Sequence, residues 1–186
     1  MDAGPTNETA NNILNNYSTI ALLVVAIVLI ILSAFFSASE SAFFSLNKLR
    51  LRLLRNKGDK KAIRAGKLLD NKEKLLNTIL VGNNIVNIAL SSIITSVCLG
   101  LFGQSGLGYA TLGVTVILLI FGEILPKTLA THYPEKMAFF FAPLIQAVSI
   151  IVNPIVFVLI KCVRLIARIF HIKIGYMGKE TRYGKT

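Results

Sequence analysis

Tryptophan is absent from this chain, and cysteine and histidine occur only twice each. The two cysteines, Cys98 and Cys162, fall towards opposite sides of the membrane arrangement derived below, so a disulfide between them within one protomer is excluded. The two histidines, His132 and His171, lie at segment boundaries without cysteine partners, which argues against a zinc site. The patterns H-E-x-x-H, G-x-S-x-G and the P-loop are all missing, so an enzyme is not expected. Acidic residues are few, nine against twenty Lys and Arg, and the basic residues are themselves missing from long stretches.

What is present is apolar. The 186 residues are 54% hydrophobic with a mean hydropathy of +0.66, too apolar for an ordinary soluble domain. Three segments, 20–45, 75–101 and 109–131, reach the length of about 20 residues that a bilayer core demands. The expected fold class is an all-α integral membrane protein with three transmembrane helices per protomer. A re-entrant or interfacial helical hairpin and amphipathic juxtamembrane helices are expected beside them.

The net charge is +11, but its distribution points away from nucleic acid. No Lys or Arg precedes Lys48 and none lies between Lys74 and Lys127, whereas eleven of the twenty lie in residues 48–74. Loops rich in Lys and Arg stay cytoplasmic. The N-terminus is therefore expected outside a cell (plasma) membrane, residues 48–74 inside, the uncharged loop 100–108 outside, and the C-terminus in the cytoplasm. Anionic lipid headgroups account for the charge better than a nucleic acid does.

Along the chain, residues 1–19 are polar and Asn-rich and read as a frayed extracellular end, without the basic start of a signal peptide. Residues 47–74 form a connector of two helical pieces broken at Asn56-Lys57-Gly58-Asp59. Leu46, Leu49, Leu53 and Leu54 alternate there with Lys48, Arg50, Arg52 and Arg55, the pattern of a helix lying on the inner leaflet. The segment from about 134 to 170 is apolar enough to cross, yet crossing would put the basic residues 161–185 outside. Pro143 and Pro154 divide it into pieces too short to span, so an interfacial hairpin followed by an amphipathic belt helix (Lys161, Arg164, Arg168, His171) is expected. Residues 171–186 read as a cytoplasmic linker.

Polar residues occur where the spans should be purely apolar. Glu123, in I-F-G-E-I-L-P-K, lies deep in the run that begins near Tyr109. A charge at that depth costs several kcal/mol, by about 2.5 or more on insertion scales, and so faces a partner or an aqueous site. Ser33, Ser37, Ser41 and Ser45 recur at four-residue steps on one helical face. The second span has Gly82-Asn83-Asn84 and Asn87 at its centre, with Asn83 and Asn87 on a shared face and Asn84 turned elsewhere. Gly82 permits close backbone approach, and Pro126 withholds a donor from the carbonyl near Gly122. One carboxylate, two hydroxyls, amides and free carbonyls make an all-oxygen set suited to a hard cation. Packing readings compete at each position: small-residue contacts for the serines, interhelical glue for Asn84 and Asn87, and a salt bridge with Lys127 for Glu123. Glu40 is expected to pair with a basic residue of the following segment.

Three motifs in order, F-S-x-x-E-x-A (36–42), L-x-G-N-x-x-V-N (80–87) and G-E-x-x-P-K (122–127), resemble the transmembrane domain of the cyclin-M/CorC magnesium transporters. The resemblance covers residues 20–170. It implies a homodimer of three-span protomers in contact with membrane lipids, with Mg²⁺ held by Ser33, Ser37, Asn83 and Glu123 and by main-chain carbonyls around Gly82 or Gly122. Asn87 is a further candidate ligand. The resemblance also implies efflux of Mg²⁺ coupled to a Na⁺ gradient, and a nucleotide-sensing CBS domain in full-length relatives, which this sequence does not include. A metal-binding membrane scaffold without transport activity of its own is the alternative.

Overall fold

The structure, a computed structural model, describes residues 7–169. These residues form seven α-helices in order: α1 (Asn7–Ser45), α2 (Lys48–Asn56), α3 (Lys60–Leu69), α4 (Lys72–Phe102), α5 (Leu107–Ile117), α6 (Leu125–His132) and α7 (Pro134–Ile169). Leu118–Ile124, between α5 and α6, is wound as π-helix. No strand occurs among the described residues.

The breaks between helices are set locally. Asn47 caps α2 by accepting from the amides of Leu49 and Arg50, Asp59 caps α3 through Lys61 and Ala62, and Asn71 caps α4 through Lys74. Each side-chain oxygen satisfies amides that a helix start leaves without partners. Gly58 (φ 82°) and Gly103 (φ 62°) take the left-handed backbone that reverses the chain after α2 and after α4.

Among the described residues, four segments are long and apolar enough to cross a membrane: Thr19–Ser45, Lys72–Phe102, Gln104–His132 and Pro134–Val158. The first three contain the three expected spans. Two expectations are corrected. The N-terminal end is not frayed throughout, because α1 begins at Asn7; no Gly or Pro stands between Asn7 and Thr19, and extending an existing helix adds a hydrogen bond for each residue fixed. The hairpin expected within 134–170 is replaced by one continuous helix, α7, with Pro143 and Pro154 inside it. A proline forfeits one helical bond, but apolar surroundings offer the backbone no alternative partner, so breaking the helix would cost more. Both prolines lie on the exposed face of α7, while Ala138, Ala142, Ile145, Val152 and Val156 are buried on the other. His171 and the linker 171–186 lie outside the described residues.

The core sits where α1 ends and α4 begins. Phe36, Ala38, Ala42, Phe43 and Leu46 of α1 pack with Leu75, Ile79 and Val86 of α4, Leu51 of α2, Ala62 and Ala65 of α3, Ala130 of α6, and Ala138, Ala142 and Ile145 of α7. Seven of these fifteen residues are alanine, and small side chains let helices approach closely where lipid offers no hydrophobic contrast. Phe35 meets Phe141 edge-on at 5.2 Å between ring centres, fixing α7 against α1. Away from this core, Ile20, Val24, Ile27, Val28 and Ile31 of α1 are exposed, as side chains facing lipid must be.

The connector matches its expected two pieces. Arg55 grips Asp70 with both terminal nitrogens, at 2.9 and 3.0 Å, and closes α2 onto the end of α3. The alkyl stem of Arg55 lies directly on Gly66, where a Cβ would stand 2.6 Å from its Cδ. Leu51 turns into the core, whereas Leu49 and Leu53 remain exposed among the basic residues, the disposition of a helix resting on a membrane surface.

Candidate metal site

Ser33 is the hub. It is buried (1% exposed), and its Oγ donates to Asn87 Oδ1 at 2.8 Å, with Asn83 Oδ1 a longer 3.4 Å away. The same hydroxyl lies against Gly122, where a Cβ would stand only 3.1 Å from it. One serine thus joins α1, α4 and the π-helical segment. The shared face of Asn83 and Asn87, expected from their four-residue spacing, is what allows both amides to reach it; Asn84 is exposed. Asn87 rather than Asn83 makes the shorter bond.

Gly82 holds the two long helices together. Phe36 lays its ring on the glycine, with a Cβ there only 2.5 Å from the ring tip. The absence of a side chain at 82 is therefore what brings α4 close enough for its amides to meet Ser33.

Ser37, one turn below Ser33, is also buried, and its Oγ has no hydrogen-bond partner; Ser39 Oγ is in the same position. Buried hydroxyls without partners are uncommon, and each costs about 1–3 kcal/mol. Ser41 is half-buried and Ser45 exposed, so the four-residue serine repeat divides into an inner and an outer pair.

The backbone around Glu123 departs from α geometry. Leu125 donates to the carbonyl of Ile120, five residues back, so the turn that holds Gly122 and Glu123 is one residue wide of an α-helix. Pro126 accounts for this locally: it cannot donate to Gly122, and the ladder is shifted on its N-terminal side. Such widened turns concentrate at functional sites.

The Glu123 carboxylate is half-buried and its Oε1 accepts from Lys127 Nζ at 3.0 Å, one turn on. The salt bridge weighed against a ligand role is therefore present. Lys127 also reaches Glu40 Oε2 of α1 at 3.6 Å. The expectation for Glu40 is corrected accordingly: its partner comes from α6 and not from the connector that follows α1. The basic residue nearest in sequence is not the nearest in space, because α6 packs along the end of α1. Ser33, Asn83, Asn87 and Gly122 are thus brought together, Gly82 supports them, Ser37 is buried beside them in sequence without a partner, and Glu123 follows Gly122 while engaged by Lys127. Lys127 and Glu40 as a pair, and the buried Ser39, were missed as site residues. The G-E-x-x-P-K spacing signalled only the first link of that chain.

The family description "Cyclin M transmembrane N-terminal domain" matches residues 24–183. A UPF0053 protein of Haemophilus influenzae is 41% identical over 138 residues, covering 74% of this chain and 33% of that protein. The UPF0053 inner membrane protein YfjD of Escherichia coli is 38% identical over 154 residues, covering 80% and 36%. A polyamine export protein of Haemophilus influenzae is 29% identical over 163 residues, covering 80% and 38%. The chain spans about a third of the length of the curated relatives it matches. With four long apolar helices and a family match over most of its length, this multi-pass membrane protein belongs to the cyclin M transmembrane-domain family.

Proposed function

We propose that this chain is the membrane module of a divalent-cation transporter, moving Mg²⁺ out of the cell by coupling to a Na⁺ gradient. The observation that carries the reading is the oxygen cluster around Ser33: two amides meet its buried hydroxyl, which lies against the glycine that precedes an intramembrane carboxylate. Ser37 adds a buried hydroxyl without a partner. Oxygen-only donors suit Mg²⁺, which is held by one or two carboxylates and completes its shell with neutral oxygens and water. Ser33, Ser37, Asn83, Asn87 and Glu123, with carbonyls near Gly82 and Gly122, are the ligands in this reading. The widened turn at Leu118–Ile124 is a helix irregularity of the kind that concentrates at functional sites.

A homodimer with lipid around it fits the uneven cover of the spans. Gln104–His132 buries 6% of its apolar window, against 17–22% for the other three, leaving the helix that carries Glu123 the most open to a second copy. In this reading the N-terminus lies outside and the C-terminus in the cytoplasm of the plasma membrane, which the charge asymmetry supports.

One observation favours a second cargo. Glu123 already holds a primary ammonium, that of Lys127, and a similar protein is named a polyamine export protein; organic polyamines present the same group. Flux into liposomes containing the purified chain separates the readings. Uptake of Mg²⁺ under a Na⁺ gradient, lost in Glu123→Gln, supports the first. Flux of a polyamine without Mg²⁺ supports the second, and metal binding without any flux returns the protein to a scaffold.

A further inference from the structure

Two carboxylates share one ammonium where α6 packs along the end of α1. Lys127 Nζ stands 3.0 Å from Glu123 and 3.6 Å from Glu40, and all three side chains are partly covered, at 39, 36 and 30% exposure for Glu123, Lys127 and Glu40. The three come from three elements: Glu40 from α1, Glu123 from the π-helical segment and Lys127 from α6, the last two on opposite sides of Pro126. Their formal sum is one negative charge. A lysine head is a compact point charge on a flexible stem, able to change partner with little movement of its helix.

We propose that Lys127 is a tethered counter-cation that competes with the transported ion for Glu123, and that Glu40 is where its ammonium rests while the ion is bound. This rests on the metal-site reading above. An ammonium and a dication cannot share one carboxylate without strong repulsion, so metal entry has to move Lys127, and Glu40 is already within ion-pair distance. When the metal leaves, Lys127 returns to Glu123, which is then never an unpaired charge inside the membrane. The lysine opposes tight retention of metal and helps release it; Glu40 makes room for metal and helps loading. Lys127 and Glu40 are positioning residues in this scheme and not ligands.

The test is Mg²⁺ binding to the full chain purified in detergent, followed by calorimetry, with wild type, Lys127→Gln, Glu40→Gln, the double variant, Lys127→Arg and Glu123→Gln. Loss of the competitor in Lys127→Gln should tighten Mg²⁺ binding about fivefold, the scale of a partly exposed charge pair. Loss of the resting place in Glu40→Gln should weaken it by a similar factor. In the Lys127→Gln background, Glu40→Gln should have a much smaller effect, since no ammonium remains to be parked. Lys127→Arg keeps the charge and should bind near wild type, which guards against a folding defect in the neutral variant. A purely structural role would weaken binding in both single variants. Shifts of the same sign in Lys127→Gln and Glu40→Gln, or equal effects of Glu40→Gln in both backgrounds, overturn this inference alone, provided that Glu123→Gln still abolishes binding. If wild type binds no Mg²⁺, or Glu123→Gln binds as wild type does, the metal-site reading falls together with it.

Discussion

Ser33 of α1 donates to Asn87 of α4 across 54 positions of sequence, at 2.8 Å, and its neighbour one turn on, Ser37, buries a hydroxyl that has no hydrogen-bond partner. The pair predicts opposite behaviour on truncation. Ser33→Ala leaves Asn87 Oδ1 without its donor and should lower stability by about 1 kcal/mol. Ser37→Ala removes an unsatisfied group, so the fold should be as stable or more so, while Mg²⁺ binding weakens. Unfolding in mixed detergent and calorimetry on the same preparations check both. Undiminished Mg²⁺ binding in Ser37→Ala would return that serine to helix packing.

Glu123 is the acidic residue the metal reading depends on most. Glu123→Gln keeps the shape and removes the charge, so Mg²⁺ flux should vanish while the protein remains folded. Glu123→Asp keeps the charge but draws it back by one methylene, a displacement that a near-octahedral Mg²⁺ site tolerates poorly, so weak flux is expected. Liposome flux assays with a folding check by size-exclusion chromatography decide this. Normal flux through Glu123→Gln would sink the mechanism.

Gly82 predicts a steric effect. A methyl group there meets the Phe36 ring at 2.5 Å, and that ring is itself buried and packed on Phe35 at 5.1 Å. Overpacking of this kind costs about 1–3 kcal/mol. Gly82→Ala should therefore lower the unfolding midpoint, and adding Phe36→Leu should recover part of the loss. If Gly82→Ala alone unfolds like wild type, the contact between α1 and α4 is looser than described.

Topology can be read with an impermeant thiol reagent on a chain whose native cysteines have been replaced. Gly103→Cys, in the turn after α4, should react from outside, and Gly58→Cys, between α2 and α3, should be protected. Gly175→Cys should be protected as well. External labelling at Gly175 would mean that α7 crosses the membrane and that the C-terminus is not cytoplasmic.

Much of this architecture is legible without coordinates. Span length, the gaps in Lys and Arg, and the break at Asn56-Lys57-Gly58-Asp59 act through bilayer thickness, loop charge and local chemistry, which depend on order along the chain alone. The shared face of Asn83 and Asn87 follows from helical spacing, and the tolerance for close approach at Gly82 from its missing side chain. The continuity of α7 did not follow, because a proline's local cost is outweighed where the backbone has no other partner, and that depends on the surroundings.

What the sequence by itself determined is the class of molecule and the candidate oxygens: helices that fit a membrane, and a carboxylate, amides and hydroxyls at depths where each demands a partner. Only the tertiary structure decided which of them meet. Ser33 reaches α4 and Gly122 because Phe36 fits over Gly82, and Lys127 bridges Glu123 to Glu40 because α6 packs against the end of α1. Those pairings join residues up to 89 positions apart, here Ser33 and Gly122, and no local propensity encodes them; they arise where small side chains let three helices share one volume.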